Sequence, residues 1–189
     1  MSYKLTTKDK NLIKDNMTIL YADNEQKIDH IIFYLDKAKV KHKALKGMHI
    51  GDWSFKIKAL PELGIIKTFY GYKHFTIERK NSVEELSGCL SDKTKRANLD
   101  REFTRATLKK YKFMLMVEDP DGYEKICKGN YNTNYNRYAF MTSLLGVYLK
   151  YNIPYIFINR ECSGHFILKN FMKYIKYYIE DRIYKSNRN

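Results

Sequence analysis

The chain has 189 residues, and its 35 Lys and Arg against 21 Asp and Glu leave a net charge of +14. A length of this order fits one domain, and 44% hydrophobic with 15% aromatic residues is too much core material for a disordered polycation. Three widely spaced cysteines (Cys89, Cys127, Cys162) without a CxxC pair argue against a disulfide framework or structural zinc. No apolar run approaches the roughly 20 residues of a membrane span, and nothing between Met1 and Lys14 reads as a signal peptide, so a reduced, cytoplasmic protein is expected. The basic excess points to a polyanionic partner, nucleic acid ahead of an anionic membrane surface.

Thr18–Ala22 is a short β-prone run ending at Asp23. From Gln26 the period changes, and Ile28, Ile31, Ile32, Leu35 and Ala38 mark one face of an amphipathic helix. After Gly51, the alternation of Trp53, Phe55 and Ile57 with Ser54, Lys56 and Lys58 predicts a half-buried strand, and Phe75 and Ile77 repeat the pattern. Pro61, Gly64 and Gly71 lie between them in a long hairpin that can add a strand around Ile65–Phe69. Asp52 then begins one strand and Glu78 ends its antiparallel neighbour. Ser82, with Glu85 three residues on, forms a capping-box signature for a helix. A second helix is predicted over Ala97–Lys110, a buried strand over Phe113–Val117, a turn at Asp119–Gly122, a helix over Asn136–Lys150, a last strand over Pro154–Ile158 and a terminal helix after Gly164. Strands alternating with helices predict an α/β fold with a mixed central sheet.

Hydrolysis of a phosphodiester calls for a cation that polarises the phosphoryl oxygen, and hard carboxylate donors suit Mg²⁺ or Mn²⁺. Asp52 and Glu78 on adjacent strands supply two such donors. Lys80, two residues beyond Glu78, projects from the same strand face and can orient water or offset charge growing on phosphorus. The Arg79 carbonyl can complete a metal shell while its side chain points away. The alternative reading of the same residues is an exposed strand end with a surface ion pair.

Asp23-Asn24-Glu25-Gln26 after a strand, Ile50-Gly51-Asp52, and Glu78-Arg79-Lys80 followed by Asn81-Ser82-Val83-Glu84-Glu85-Leu86 resemble the XPF-type nuclease domain of the PD-(D/E)xK, restriction-endonuclease-like superfamily. The likeness spans about residues 18–166 and includes Val117-Glu118-Asp119, with residues 1–17 an N-terminal extension and 167–189 an amphipathic C-terminal helix on the same domain. The resemblance implies a mixed sheet flanked by helices and a divalent-metal-dependent endonuclease acting on branched or single-strand-containing DNA in repair, recombination or phage DNA metabolism. By it, Asp52 and Glu78 hold Mg²⁺ or Mn²⁺, Asp23 sits nearby, Lys80 is catalytic and Glu85 supports. Two departures stand out: the family's Asp-x-Arg-Glu opening is Asp-Asn-Glu-Gln here, and Glu84 and Glu85 both compete for the acid after the Glu-Arg-Lys triplet. With no helix-hairpin-helix module following, the chain looks like small stand-alone bacterial or bacteriophage members, acting in that cytoplasm, with a homodimer left open.

Lys93, Lys95, Arg96, Arg101 and Arg105 follow the site and can grip flanking phosphates, or form an ordinary solvated helix face. Tyr131, Tyr135 and Tyr138 are expected partly buried rather than stacked on bases. His74 shares the strand parity of Glu78, which offers either proximity to the site or a packed core histidine. The rival function is a non-catalytic, basic DNA-binding or repair adaptor on a nuclease scaffold. An RNA-directed nuclease shares the chemistry.

Overall fold

The computed structural model describes residues 4–186. Its strands are β1 (Met17–Ala22), β2 (Lys41–Leu45), β3 (Trp53–Ile57), β4 (Phe69–Tyr70), β5 (Phe75–Lys80), β6 (Lys112–Val117) and β7 (Tyr155–Phe157). Its helices are α1 (Thr7–Asn16), α2 (Asp29–Lys37), α3 (Val83–Ser91), α4 (Lys93–Leu108), α5 (Gly122–Lys128), α6 (Arg137–Tyr151) and α7 (Ser163–Ser186). The strands form one seven-stranded sheet in the order β2-β1-β3-β5-β6-β7, with β4 paired to β3. β3 runs antiparallel to both β1 and β5, whereas β1/β2, β5/β6 and β6/β7 are parallel. A mixed sheet flanked by helices is the architecture that the alternation of strand and helix patterns predicts.

Each sheet face carries its own core. Ile31 and Leu35 of α2 and Ile167, Phe171 and Ile175 of α7 pack with Trp53, Phe55, Phe75 and Ile77 on one side. On the other, Val83 and Leu86 of α3, Phe103 of α4 and Phe140 and Leu144 of α6 pack with Phe113, Leu115 and Val117. Because successive strand residues point to opposite faces, β5 aims Phe75, Ile77 and Arg79 at the α2/α7 layer and Thr76, Glu78 and Lys80 at the α3/α4 layer.

Several elements depart from the pattern reading. β3 is predicted half-buried, but it lies between two neighbouring strands and is buried at every residue except Lys56; Ser54 is fully buried and its hydroxyl donates to the Phe75 carbonyl at 2.8 Å. β2, with its run of lysines, carries no apolar alternation because it is an exposed sheet edge, where charge discourages pairing with another chain. The predicted middle strand is reduced to a Leu60–Ile65 bridge and the two residues of β4. The segment expected as an N-terminal extension supplies α1, capped by Thr6 and Asp9, and buries Leu5 and Ile13 in the core. α7 starts before the expected Gly164 and is a wall of that core. Among the described residues, no helix is long and apolar enough to cross a membrane.

Candidate active site

Asp52 is delivered by the chain entering β3. Gly51 takes a left-handed conformation (φ +66°), and a Cβ there would stand 2.9 Å from the Thr76 Cβ, so this turn demands glycine. Asp52 then bridges both neighbouring strands: its N–H donates to the Ile77 carbonyl at 2.9 Å and its carbonyl accepts from Ala22 N–H at 2.8 Å. β3 pairs with β5 at Trp53–Ile77, so β5 runs past the start of β3 and its next backbone donor meets a side chain. The Arg79 N–H donates to Asp52 Oδ2 at 2.8 Å. In an extended strand the N–H and C=O of one residue share an edge, so the Arg79 carbonyl also faces the Asp52 side.

Glu78 and Lys80 lie one pleat apart on the α3/α4 face and are almost entirely buried. The Lys80 ammonium donates to Glu78 Oε1 at 2.5 Å and lies 3.9 Å from Glu85 Oε1. Burial opposes the Lys80 charge, but Glu78 and Asp52 hold its pKa well above the ordinary lysine value. Burial and the nearby Glu78 push the Asp52 carboxyl well above the usual carboxylate range. The site is therefore short of positive charge.

Two further acids share this field: Glu102, which no sequence pattern singles out, and Glu25 of the Asp23–Gln26 segment. Glu102 of α4 points at the site, accepts from Gly51 N–H at 3.3 Å, and is pushed up to about 7 by burial and by Glu78. Glu25, from the turn after β1, is raised by burial and by Glu78 against the pull of Arg79. Asp23 lies exposed in that same turn, so the acid of the turn that feels Asp52 and Glu78 is Glu25. Glu85 resolves the competition with Glu84: its Oε2 accepts from Asn81 N–H at 2.9 Å while its other oxygen faces Lys80. The Ser82 half of the capping box is in place, its Oγ accepting from Glu85 N–H at 3.2 Å, while the Glu85 carboxylate reaches one residue further back, to Asn81. Glu84 turns outward to Asn132 N–H.

The Arg79 side chain crosses to the opposite sheet face. It donates to Glu25 at 3.1 Å, Glu118 at 2.8 Å and the carbonyls of Gln26 and Lys27 at 3.3 and 3.1 Å. Glu118 also meets His30 Nε2 at 2.7 Å. One guanidinium therefore ties the turn after β1 to the end of β6, directly beneath Asp52 and Glu78. Glu25 thus finds its base in Arg79.

The five basic residues after the site lie on α4 itself, which begins four residues earlier than predicted because Asp92 caps it through Lys95 N–H at 2.8 Å. Arg96 is tied to Asp100 and Ser143, Arg101 to Asn98 and the Ala97 carbonyl, and Arg105 to the His49 carbonyl. Lys93 and Lys95 are exposed at the start of the helix. Lys95 and Arg105 share the helix stripe of Glu102; Arg101 does not. His74 stands at the far end of β5, stacked on Phe69 at 4.7 Å between centroids. The Tyr131 and Tyr135 hydroxyls bond the Tyr135 carbonyl and Ser143.

Asp52, Glu78 and the Arg79 carbonyl offer hard oxygen donors, and the surplus of carboxylate there suits a divalent cation. Among the described residues no three His, Cys, Asp or Glu side chains gather as a ready metal cage. A cation would depend on two carboxylates, backbone, water and substrate oxygen, the mode typical of Mg²⁺.

No family model matches the chain, and no curated protein matches it. Solved structures do. XPF from Aeropyrum pernix superposes with a TM-score of 0.59 at 12% identity, over 88% of this chain and 69% of that one. The same protein in complex with DNA gives 0.53 at 11% identity, over 82% of this chain and 63% of that one. The chain has the XPF-like nuclease fold.

Proposed function

We propose that the protein is a divalent-metal-dependent endonuclease that hydrolyses phosphodiesters in branched or single-strand-containing DNA. The observation that carries this reading is the convergence of Asp52, from the start of β3, with the Glu78–Lys80 pair on β5, joined through the Arg79 N–H at 2.8 Å. The DNA complex of the Aeropyrum pernix protein supports DNA as the polymer.

Asp52 and Glu78, with the Arg79 carbonyl, would hold Mg²⁺ or Mn²⁺, which when bound supplies Lewis-acid polarisation of the phosphoryl oxygen and a more acidic water. Lys80 is held as an ammonium, so it serves as a donor rather than a base. It orients the attacking water and, as the P–O bond to the leaving oxygen lengthens, stabilises charge on the equatorial phosphoryl oxygens. Glu85 keeps that ammonium facing the site. Burial keeps the local dielectric low, which strengthens each of these interactions.

Labelled branched and linear DNAs incubated with and without Mg²⁺ or Mn²⁺ test the reading. Asp52→Ala and Lys80→Ala should each lower cleavage by at least about 100-fold with DNA binding retained; cleavage at the parent rate by both variants refutes it. Competition with RNA of the same sequence decides the polymer. A second reading, a DNA-binding adaptor on this scaffold, is favoured by Glu78 being already paired with Lys80. It predicts no saturable divalent-ion binding that Asp52→Ala abolishes.

A further inference from the structure

Two cavities sharing Tyr111 run from the neighbourhood of Asp52 to the far end of the sheet. The nearer, about 250 Å³, reaches Ile50 and lies between the β2–β3 loop, the Gly71–Lys73 turn and the end of α4. The farther, about 470 Å³, is floored by the N-terminal ends of β5 and β6 and walled by α4, α6 and α7. No Asp or Glu lines either one. Lys46, Lys73 and Lys109 line the first, and Lys112, Lys173 and Tyr177 the second.

Lysine and tyrosine are interleaved along this track. Lys109 Nζ lies 5.7 Å from the Tyr111 ring centroid, Lys112 5.9 Å from Tyr174 and Lys173 5.0 Å from Tyr177. Lysines near helix C-termini often only complement the helix dipole, which accounts for Lys109. Lys46 and Lys73 lie in turns and Lys173 in the middle of α7, so the dipole does not account for them. Tyr177 is 54% exposed, a ring left largely open in a cationic groove.

We propose that this track binds a single-stranded nucleic acid segment, with phosphates on the lysines and unpaired bases stacked on Tyr177 and Tyr111. A duplex needs only an outward lysine surface, whereas concave walls with accessible rings suit bases free of a complement. The span from Lys80 back to Phe75 along β5 is about 17 Å at the strand rise, long enough for a few nucleotides. Only the strand's continuity with Asp52 rests on the cleavage reading; binding does not.

The test is fluorescence anisotropy of a labelled oligothymidylate about 20 nucleotides long, in EDTA, on a Lys80→Ala background, with a blunt duplex of equal length in parallel. Tyr177→Ala should weaken oligothymidylate about 10-fold and the duplex less than about 2-fold. Lys73→Ala and Lys173→Ala should each reduce the log–log salt slope by about 0.7, while Lys8→Ala on α1 leaves it unchanged. These side chains are exposed, and circular dichroism checks each fold. Unchanged binding by Tyr177→Ala, equal losses for strand and duplex, or displacement by poly-glutamate as effective as by unlabelled oligothymidylate overturns the proposal, the last in favour of an acidic protein partner. If Lys80→Ala still cleaves DNA while the track variants bind weakly, the cleavage reading fails and the track stands.

Discussion

Replacing Glu102 by glutamine removes one negative charge from a site that already holds Asp52 and Glu78. The Glu102 carboxyl is raised from 4.5 to about 7, first by burial and then by Glu78. At about 1.36 kcal/mol per pH unit, this corresponds to about 3 kcal/mol of disfavoured ionisation. Glu102 is only partly buried and solvent screens it, which brings the expected effect to about 1–2 kcal/mol. The folded protein holds this proton more tightly than the unfolded chain, so stability falls as pH rises from 4.5 to about 7 and levels off above. Glutamine keeps an oxygen for the Gly51 N–H and cannot ionise. Glu102→Gln should therefore match the parent at pH values below the unfolded carboxyl pKa and exceed its stability by about 1–2 kcal/mol at mildly alkaline pH. Urea unfolding in EDTA across this range reads the difference, in which the other titrating groups largely cancel. A flat difference, or a variant less stable than the parent at alkaline pH, would refute the carboxylate crowding.

Arg79→Met breaks two ion pairs and leaves buried Glu118 with His30 in place of the guanidinium, which should cost about 3–5 kcal/mol in urea unfolding. Arg79→Lys should recover less than half of that, because an ammonium cannot span the two carboxylates and two carbonyls that the guanidinium bridges; a loss below about 1 kcal/mol for Arg79→Met counts against the tie. Gly51→Ala combines left-handed strain with a Cβ 2.9 Å from Thr76, together about 2–3 kcal/mol. It should also lower cleavage more than Lys73→Ala does, since it displaces Asp52; wild-type stability for Gly51→Ala would show that the turn has room.

Where local pattern carries the physical information, the sequence is enough. The apolar periods of α2 and α7, the cap at Ser82, and the alternating strands around Trp53 and Phe75 each follow from which side chains a short element must bury or bond. The two-residue spacing of Glu78 and Lys80 places both on one strand face for the same reason. Glu102 is invisible at that level, and Glu25 shows there only as a departure in the Asp23–Gln26 motif. Glu102 sits in a basic helical stretch that reads as a solvated face, and only the packing of α4 against the β3 turn brings it to Gly51. The Arg79 tie to Glu118 and the acid-free track between β2 and α7 join residues far apart in the chain. Charge in a sequence has no neighbours except those i±4 away; which carboxylates repel, which lysines are matched and which glycine cannot change are decided when distant segments share one low-dielectric volume.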